Sequence, residues 1–396
     1  MRTPVVDELA RNRHTSAVVA GLVVGCFLTW NVANVGAAAD PLAEAYGVSL
    51  AVVGLLTTAL FLTHLLAQLP SGIWSDRVGP HRVALAACAF AAAGNALLLI
   101  DDEIALGIVG RLVVGLGSGA GFIAGLDLVR AGGGGPVLHG VYGGATMAGG
   151  GLALVIVPPL TDATSWRATY VAALVLALAA AVPTALVRGL PRIGQSSRGV
   201  LGDRRLLPLG LLQAATFGLA VVAGNWIVPL LERQDVSAAL AGALGGLILL
   251  AGIVTRPLGG GLALRRPAEG RRLLAGSLVA VAVGALLLAA GGPTWLSGLG
   301  ALCLGLAAGL PFAALFEAAQ RLRPDAPGAA VALVNACAIS AVLVGTPLAG
   351  LAFDLPGDGR VAFAAIAGLA LAALLLTGRL PTPTDAIGSH GGDRRY

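Results

Sequence analysis

About twenty apolar residues in a row is the length that crosses a bilayer as a helix, and this chain of 396 residues holds twelve such runs. They lie near 17–39, 50–70, 83–100, 104–130, 138–160, 167–187, 207–231, 238–262, 273–290, 295–318, 329–353 and 361–378. Backbone groups in lipid must be satisfied within the spanning structure, so a chain patterned this way folds as a helix bundle. Only 11% of its residues are charged and its mean hydropathy is +0.88, where a soluble domain carries about 25% charge. The expected class is an all-α integral membrane protein with the lipid bilayer as its surroundings.

A net charge of +5 and a pI near 9.5 could suggest a nucleic-acid partner. The placement of the charge argues against it. All 25 basic residues are arginine, and with the N-terminus inside, 20 of them fall in the tails and loops of that side. Three (Arg167, Arg233, Arg360) fall in the opposite loops, and two (Arg111, Arg256) within spans. This is the positive-inside asymmetry, with both termini cytoplasmic in a cell membrane, inner or plasma. The four cysteines, Cys26, Cys88, Cys303 and Cys337, sit in apolar segments without paired spacing, so no disulfide, metal or cofactor is expected. The arginines near position 11 followed by an apolar run and Ala37-Ala38-Ala39 imitate a signal peptide. The run of about 23 residues suits a span better.

Sliding the sequence by 188 residues aligns 41–77 with 229–265 without gaps. Pro41/Pro229, Glu44/Glu232, Ser49/Ser237, Gly54/Gly242, Gly72/Gly260 and Arg77/Arg265 are among the identities. The repeat divides the chain into a six-helix half at 1–187, a linker at 188–206, a second six-helix half at 207–380 and a tail at 381–396. Parallel halves of this kind place a substrate path at their interface.

The stretch Gly72-Ile-Trp-Ser-Asp76-Arg77-Val-Gly79-Pro-His81-Arg82 joins the second and third runs as a short polar loop. Its glycines permit close backbone approach, and its Asp-Arg pair can satisfy helix ends. It resembles the G-x-x-x-D-R-x-G-R-[KR] loop of major facilitator superfamily transporters, matching at Gly72, Asp76, Arg77, Gly79 and Arg82. The resemblance implies a twelve-helix bundle, alternating access and a charge-relay role for this loop. In the second copy Leu264 stands where Asp76 stood, so that role belongs to the first half.

Gly110-Arg111-Leu-Val-Val-Gly115-Leu-Gly117-Ser-Gly119 resembles the helix-4 pattern of the same superfamily, which implies proton coupling or bracing for Arg111. Its glycines also fit a dinucleotide motif, but no strand precedes them. Segment 5, with Gly140, Gly144 and Gly149–Gly151, is similar to the glycine-proline motif of drug antiporters, although Ala145 replaces the diagnostic proline.

Ionisable residues inside a membrane are costly and mark function. Arg256 lies about nine residues from Arg265, roughly 14 Å along a helix and near mid-membrane. Arg256-Pro257-Leu-Gly259-Gly260 resembles the helix-8 arginine and glycine pair that bind the anion in nitrate/nitrite porters; its repeat partner is Gln68. No arginine occurs in 50–70 to supply the second cation of those porters, so another small anion, organic or cyanate-like, fits as well. His64 stands one turn from Gln68 and titrates near neutral pH, making it the candidate proton carrier; a packed neutral histidine is the alternative. Asn34, Tyr142, Asn225, Trp226 and Asn335 complete the candidate substrate-binding set, and each alone also suits a helix–helix hydrogen bond. Asp127 is expected to pair with Arg77 or Arg130, and Glu317 with Arg321 four residues on.

No nucleophile–base constellation or nucleotide motif suggests an enzyme or an ATP-driven pump. The expected function is secondary transport of a small anion by a monomer, with proton coupling through His64. The alternative is a proton-driven drug exporter; the lack of a mid-membrane carboxylate weighs against it.

Overall fold

The computed structural model describes residues 4–187, 199–266 and 269–378, and among them every regular element is helical. The helices are α1 (Pro4–Ala37), α2 (Ala39–Tyr46), α3 (Leu50–Val78), α4 (Pro80–Leu97), α5 (Ile104–Ala131), α6 (Pro136–Ala163) and α7 (Ala168–Leu186). They are followed by α8 (Leu206–Gln213), α9 (Leu219–Glu232), α10 (Ala238–Arg265), α11 (Gly270–Ala290), α12 (Thr294–Gly309), α13 (Phe312–Leu322), α14 (Pro327–Leu351) and α15 (Arg360–Thr377). A π-helical turn, Ala214–Gly218, joins α8 to α9 as one span. Likewise α12 and α13 form one span, Thr294–Leu322. Eleven spans are long and apolar enough to cross a membrane. The twelfth is α4, whose His81, Arg82 and Asn95 lower its apolarity.

Chain punctuation follows local chemistry. Ser49 caps α3 by accepting from the Val52 amide, and Pro80, Pro136 and Pro327 occupy the first turns of α4, α6 and α14, where a missing N–H costs nothing. One difference from the sequence reading matters for function. Residues 71–78 are not loop but the last two turns of α3, so Gly72, Asp76 and Arg77 are helical. The connection to α4 is Gly79 alone, at φ 95°, a conformation that favours glycine.

Helices α1 and α3–α7 pack with one another, as do α8–α15. In the first group the glycine run of α5 sets the spacing. An ideal Cβ on Gly115 would lie 2.3 Å from Leu60 O, one on Gly119 2.3 Å from His64 O, and one on Gly117 2.6 Å from Ala87 O. Alternate glycines thus seat α5 against α3 and α4, which is packing in lipid by close backbone approach. The dinucleotide reading has no place here.

Two seams join the groups, α3 against α14 and α6 against α10. Repeat-related glycines sit in both. A Cβ on Gly72 would lie 2.6 Å from Gly328 O, and one on Gly260 2.1 Å from Pro136 O. The seams run to one face of the molecule, where the ends of α3, α5, α10 and α13 bring Arg77, Arg130, Arg265 and Arg321. This is the arginine-rich face. The expected linker arginines Arg188, Arg192 and Arg198, and the tail 381–396, lie outside the described residues.

Residues 199–205 return along that face to an ionic cluster. Arg205 donates to Asp203 at 2.9 and 2.7 Å, Arg323 donates to Asp325 at 2.6 Å, and Arg323 lies 3.7 Å from Asp203. Arg205 holds the Asp203 carboxyl below its usual range, and Arg323 does the same for Asp325. Depressed carboxylates contribute stability above their unfolded pKa and lose it as pH falls through the folded value. Melting temperature should therefore be insensitive to this cluster between pH 5 and 7 and decline below about pH 4. The decline is small, since screened surface pairs contribute about 0–1 kcal/mol. Asp203→Asn should shrink that acid limb in a pH series of melts; an unaltered limb would show that the cluster carries none of it.

Candidate functional site

Arg256 lies on α10 one residue before Pro257, which cannot donate to the Ile253 carbonyl. The α6 backbone approaches there: a Cβ on Gly144 would be 2.9 Å from Ile253 O, and one on Gly140 2.2 Å from Arg256 O. From this crossing the guanidinium reaches into the first helix group. Its Nη1 donates to Gly143 O at 3.1 Å and to Thr146 Oγ1 at 2.9 Å. Its Cζ lies 4.2 Å from the centre of the Phe312 ring and 5.1 Å from that of Phe217. Arg256 is 2% exposed. Among the described residues the ion pairs all lie elsewhere, so this buried cation is held by neutral acceptors and ring faces. Such contacts are worth about 0.5–2 kcal/mol each, less than the several kcal/mol that burial of a charge costs.

An aromatic path leads from Arg256 back to α3. Phe312 meets Phe316 edge-on with ring centres 4.6 Å apart, Phe316 meets Phe122 edge-on at 6.2 Å, and Phe122 lies tilted to His64 at 6.4 Å. His64 Nδ1 stands 3.0 Å from Ser118 Oγ on α5. One turn away, Gln68 Oε1 accepts from Asn335 Nδ2 at 3.0 Å across the α3–α14 seam. The two neighbours on α3 therefore part: His64 bonds within its own helix group, and Gln68 bonds across. Tyr142 donates to Phe122 O at 2.6 Å and packs its ring edge-on to Phe122. Gly25 and Gly125 leave room for that ring.

The other sequence candidates gather in two further places. Arg111, fully buried, donates to Asn31 O at 2.7 Å, Leu56 O at 3.3 Å and Asn34 Oδ1 at 3.4 Å. It ties α5 to α1 and α3. Asn34 also donates to Thr169 O on α7. Asn225 donates to Thr346 Oγ1 and Trp226 to Thr346 O, a link between α9 and α14. Arg256, His64 and Tyr142 thus share one run of ring and hydrogen-bond contacts, Gln68 and Asn335 form a separate pair one turn from His64, and Arg111 with Asn34, and Asn225 with Trp226, bond elsewhere.

At the arginine-rich face Asp76 accepts from the Gly328 amide at 3.0 Å and the Ala329 amide at 3.1 Å. Its carboxylate caps α14, where the positive end of the helix dipole favours an anion. Asp127 accepts from Ser75 Oγ rather than from an arginine, which differs from the sequence expectation. A Cβ on Gly328 would press on both Asp127 and Asp76. Arg77 and Arg82 are exposed. Glu317 does meet Arg321, at 3.2 Å.

The matching family model is that of the Major Facilitator Superfamily, over residues 19–338. The chain belongs to this superfamily. Solved structures of superfamily transporters share its fold. The human organic anion transporter MFSD10 (TETRAN) aligns at a TM-score of 0.72 and 19% identity, covering 95% of this chain and 100% of the other. A variant of the Escherichia coli fucose:proton symporter FucP aligns at 0.70 and 18%, covering 92% and 99%. FucP in the outward conformation aligns at 0.71 and 16%, covering 93% and 100%. No curated protein matches this superfamily member in sequence. At such identities these likenesses carry the fold and no substrate. Phe217, Phe312, Thr146 and Ser118 are absent from the sequence reading because each resembles ordinary helix filling; only their convergence on Arg256 and His64 singles them out.

Proposed function

We propose that this chain is a secondary transporter that moves a small organic or inorganic anion by alternating access between halves at 1–187 and 207–380. The observation that carries the reading is Arg256: a buried guanidinium at the contact between the halves, without a carboxylate partner among the described residues. An anion entering there gains full charge pairing in a low-dielectric setting, whereas a cation would meet like charge. Gln68 and Asn335 line the adjacent seam and offer amides to the same ligand. His64, joined to this region through Phe122 and Phe316, is the proposed proton carrier. The closed seams at the arginine-rich face fit an outward-open state, with that face cytoplasmic in a cell membrane.

Purified protein should be stabilised in thermal melts by its cognate anion, through mass action on the folded state. A panel of nitrate, cyanate, short carboxylates and lipophilic cations would name the class. Stabilisation by an anion that vanishes in Arg256→Ala supports the reading. Stabilisation by lipophilic cations alone, unchanged in the variant, would replace it with the drug-exporter reading.

A further inference from the structure

The two seams end differently at the arginine-rich face. In the first, Asp76 sets a carboxylate on the N-terminal amides of α14. In the second, the repeat partner of Asp76 is Leu264, 60% exposed, and the N-cap residue of α6, Gly135, has no side chain to cap it; among the described residues no carboxylate takes the place that Asp76 holds at α14. Beside that N-terminus lies a cavity of about 220 Å³, lined by Arg130, Gly134, His139, Glu317, Gln320 and Arg321.

The buried side-chain atoms without hydrogen-bond partners at this cavity include the nitrogens Arg130 Nη1, Gln320 Nε2 and His139 Nε2. His139 is 1% exposed, and one of its nitrogens donates in either neutral tautomer. The carboxylate present, Glu317, is already engaged, by Arg321 at 3.2 Å and by His139 Nδ1 at 3.3 Å, which leaves Nε2 of His139 without an acceptor. Two arginines against one glutamate leave the lining positive. Buried donors left unsatisfied are costly and are normally matched by an acceptor.

We infer that this cavity binds a compact oxyanion of the phosphate class, which gives α6 the negative charge that Asp76 gives α14. The required acceptor geometry, the positive lining and the open helix N-terminus all select an anion with several oxygens. Arg130, Gly134 and His139 come from the first helix group, while Glu317, Gln320 and Arg321 come from the second. The site is therefore complete only while the α6–α10 seam is closed, and its ligand shifts the population toward that state. Free phosphate and an anionic lipid headgroup present the same chemistry here.

The test uses full-length protein and two probes. Inorganic phosphate is titrated in detergent at constant ionic strength, and phosphatidic acid is titrated in phosphatidylcholine nanodiscs. Melting temperature and a spin-label distance across the arginine-rich ends are read in each. Saturable stabilisation with a shortened or narrowed distance is expected, retained in Arg256→Ala, which separates this site from the substrate site. His139→Phe and Gln320→Leu should each raise the half-saturating concentration about tenfold, the equivalent of one charge-assisted hydrogen bond. Arg130→Gln serves where either fails to fold. A response to the lipid and not to phosphate assigns the anion to a headgroup; a response to phosphate assigns it to solution. Silence in both arms, or equal responses in wild type and variants, would overturn the site and leave the cavity to water.

Discussion

Gly260→Val is expected to stop transport while leaving a folded protein in the membrane. The ideal Cβ of residue 260 falls 2.1 Å from Pro136 O and 2.7 Å from Pro136 C, both backbone atoms. No rotamer change can relieve a clash with backbone, so the α6–α10 seam must part. Overpacking of a tight contact costs about 1–3 kcal/mol, and an unyielding contact belongs at the upper end. About 3 kcal/mol lowers the closed-to-open ratio of the seam roughly a hundredfold. In proteoliposomes the flux should fall by up to that factor, and spin labels across the arginine-rich ends should report the longer separation. Gly261→Val is the control, because a Cβ there meets nothing within 4 Å. Wild-type flux in Gly260→Val would show that the closed seam is not part of the transport cycle.

Arg111→Ala is expected to act on stability first. Its guanidinium links three helices within the first group through Asn31 O, Leu56 O and Asn34 Oδ1. Truncation of a large, fully buried side chain leaves a cavity worth about 2–5 kcal/mol and strips Asn34 of a donor. Relief of the buried charge offsets part of this. A net loss of about 2–3 kcal/mol remains, a large fraction of a marginal stability. The melting temperature and the yield of folded protein should both drop, and Arg111→Lys should restore only part, since lysine lacks the planar fork that spans three acceptors. If the variant keeps its melting temperature and loses only pH-dependent flux, Arg111 works in proton coupling instead.

The twelve spans were readable because lipid forces long apolar runs, and their ends fall within a few residues of the observed helices except at the start of α1, which begins at Pro4, and the end of α3, which runs to Val78. The error at 71–78 has a physical source. Polar residues near a membrane surface look like loop, yet Ser75, Asp76 and Arg77 extend α3 beyond its apolar run, and Asp76 needs that helix to reach the amides of α14. Arg256 and Gln68 stood out because polarity inside a span is rare. Which of the polar residues converge was not legible. Spacing put His64 and Gln68 on one face, while the fold turns one toward Ser118 and the other toward Asn335. His139 escaped notice entirely, because its meaning arises only from Gln320 and Glu317 on a helix distant in sequence.

The π-helical turn at Ala214–Gly218 lengthens the seventh span by one residue without lengthening its passage through the membrane. One residue corresponds to about 100° of rotation, so α9 presents a different face to its neighbours than an unbroken continuation of α8 would. Phe217, within the turn, is thereby aimed at Arg256, while Trp226 further on still meets Thr346 and Phe353. It also places a slip of phase between the first and seventh spans, which no ungapped superposition of the two copies can follow. The ungapped identities with the first copy begin downstream of the turn, at Pro229.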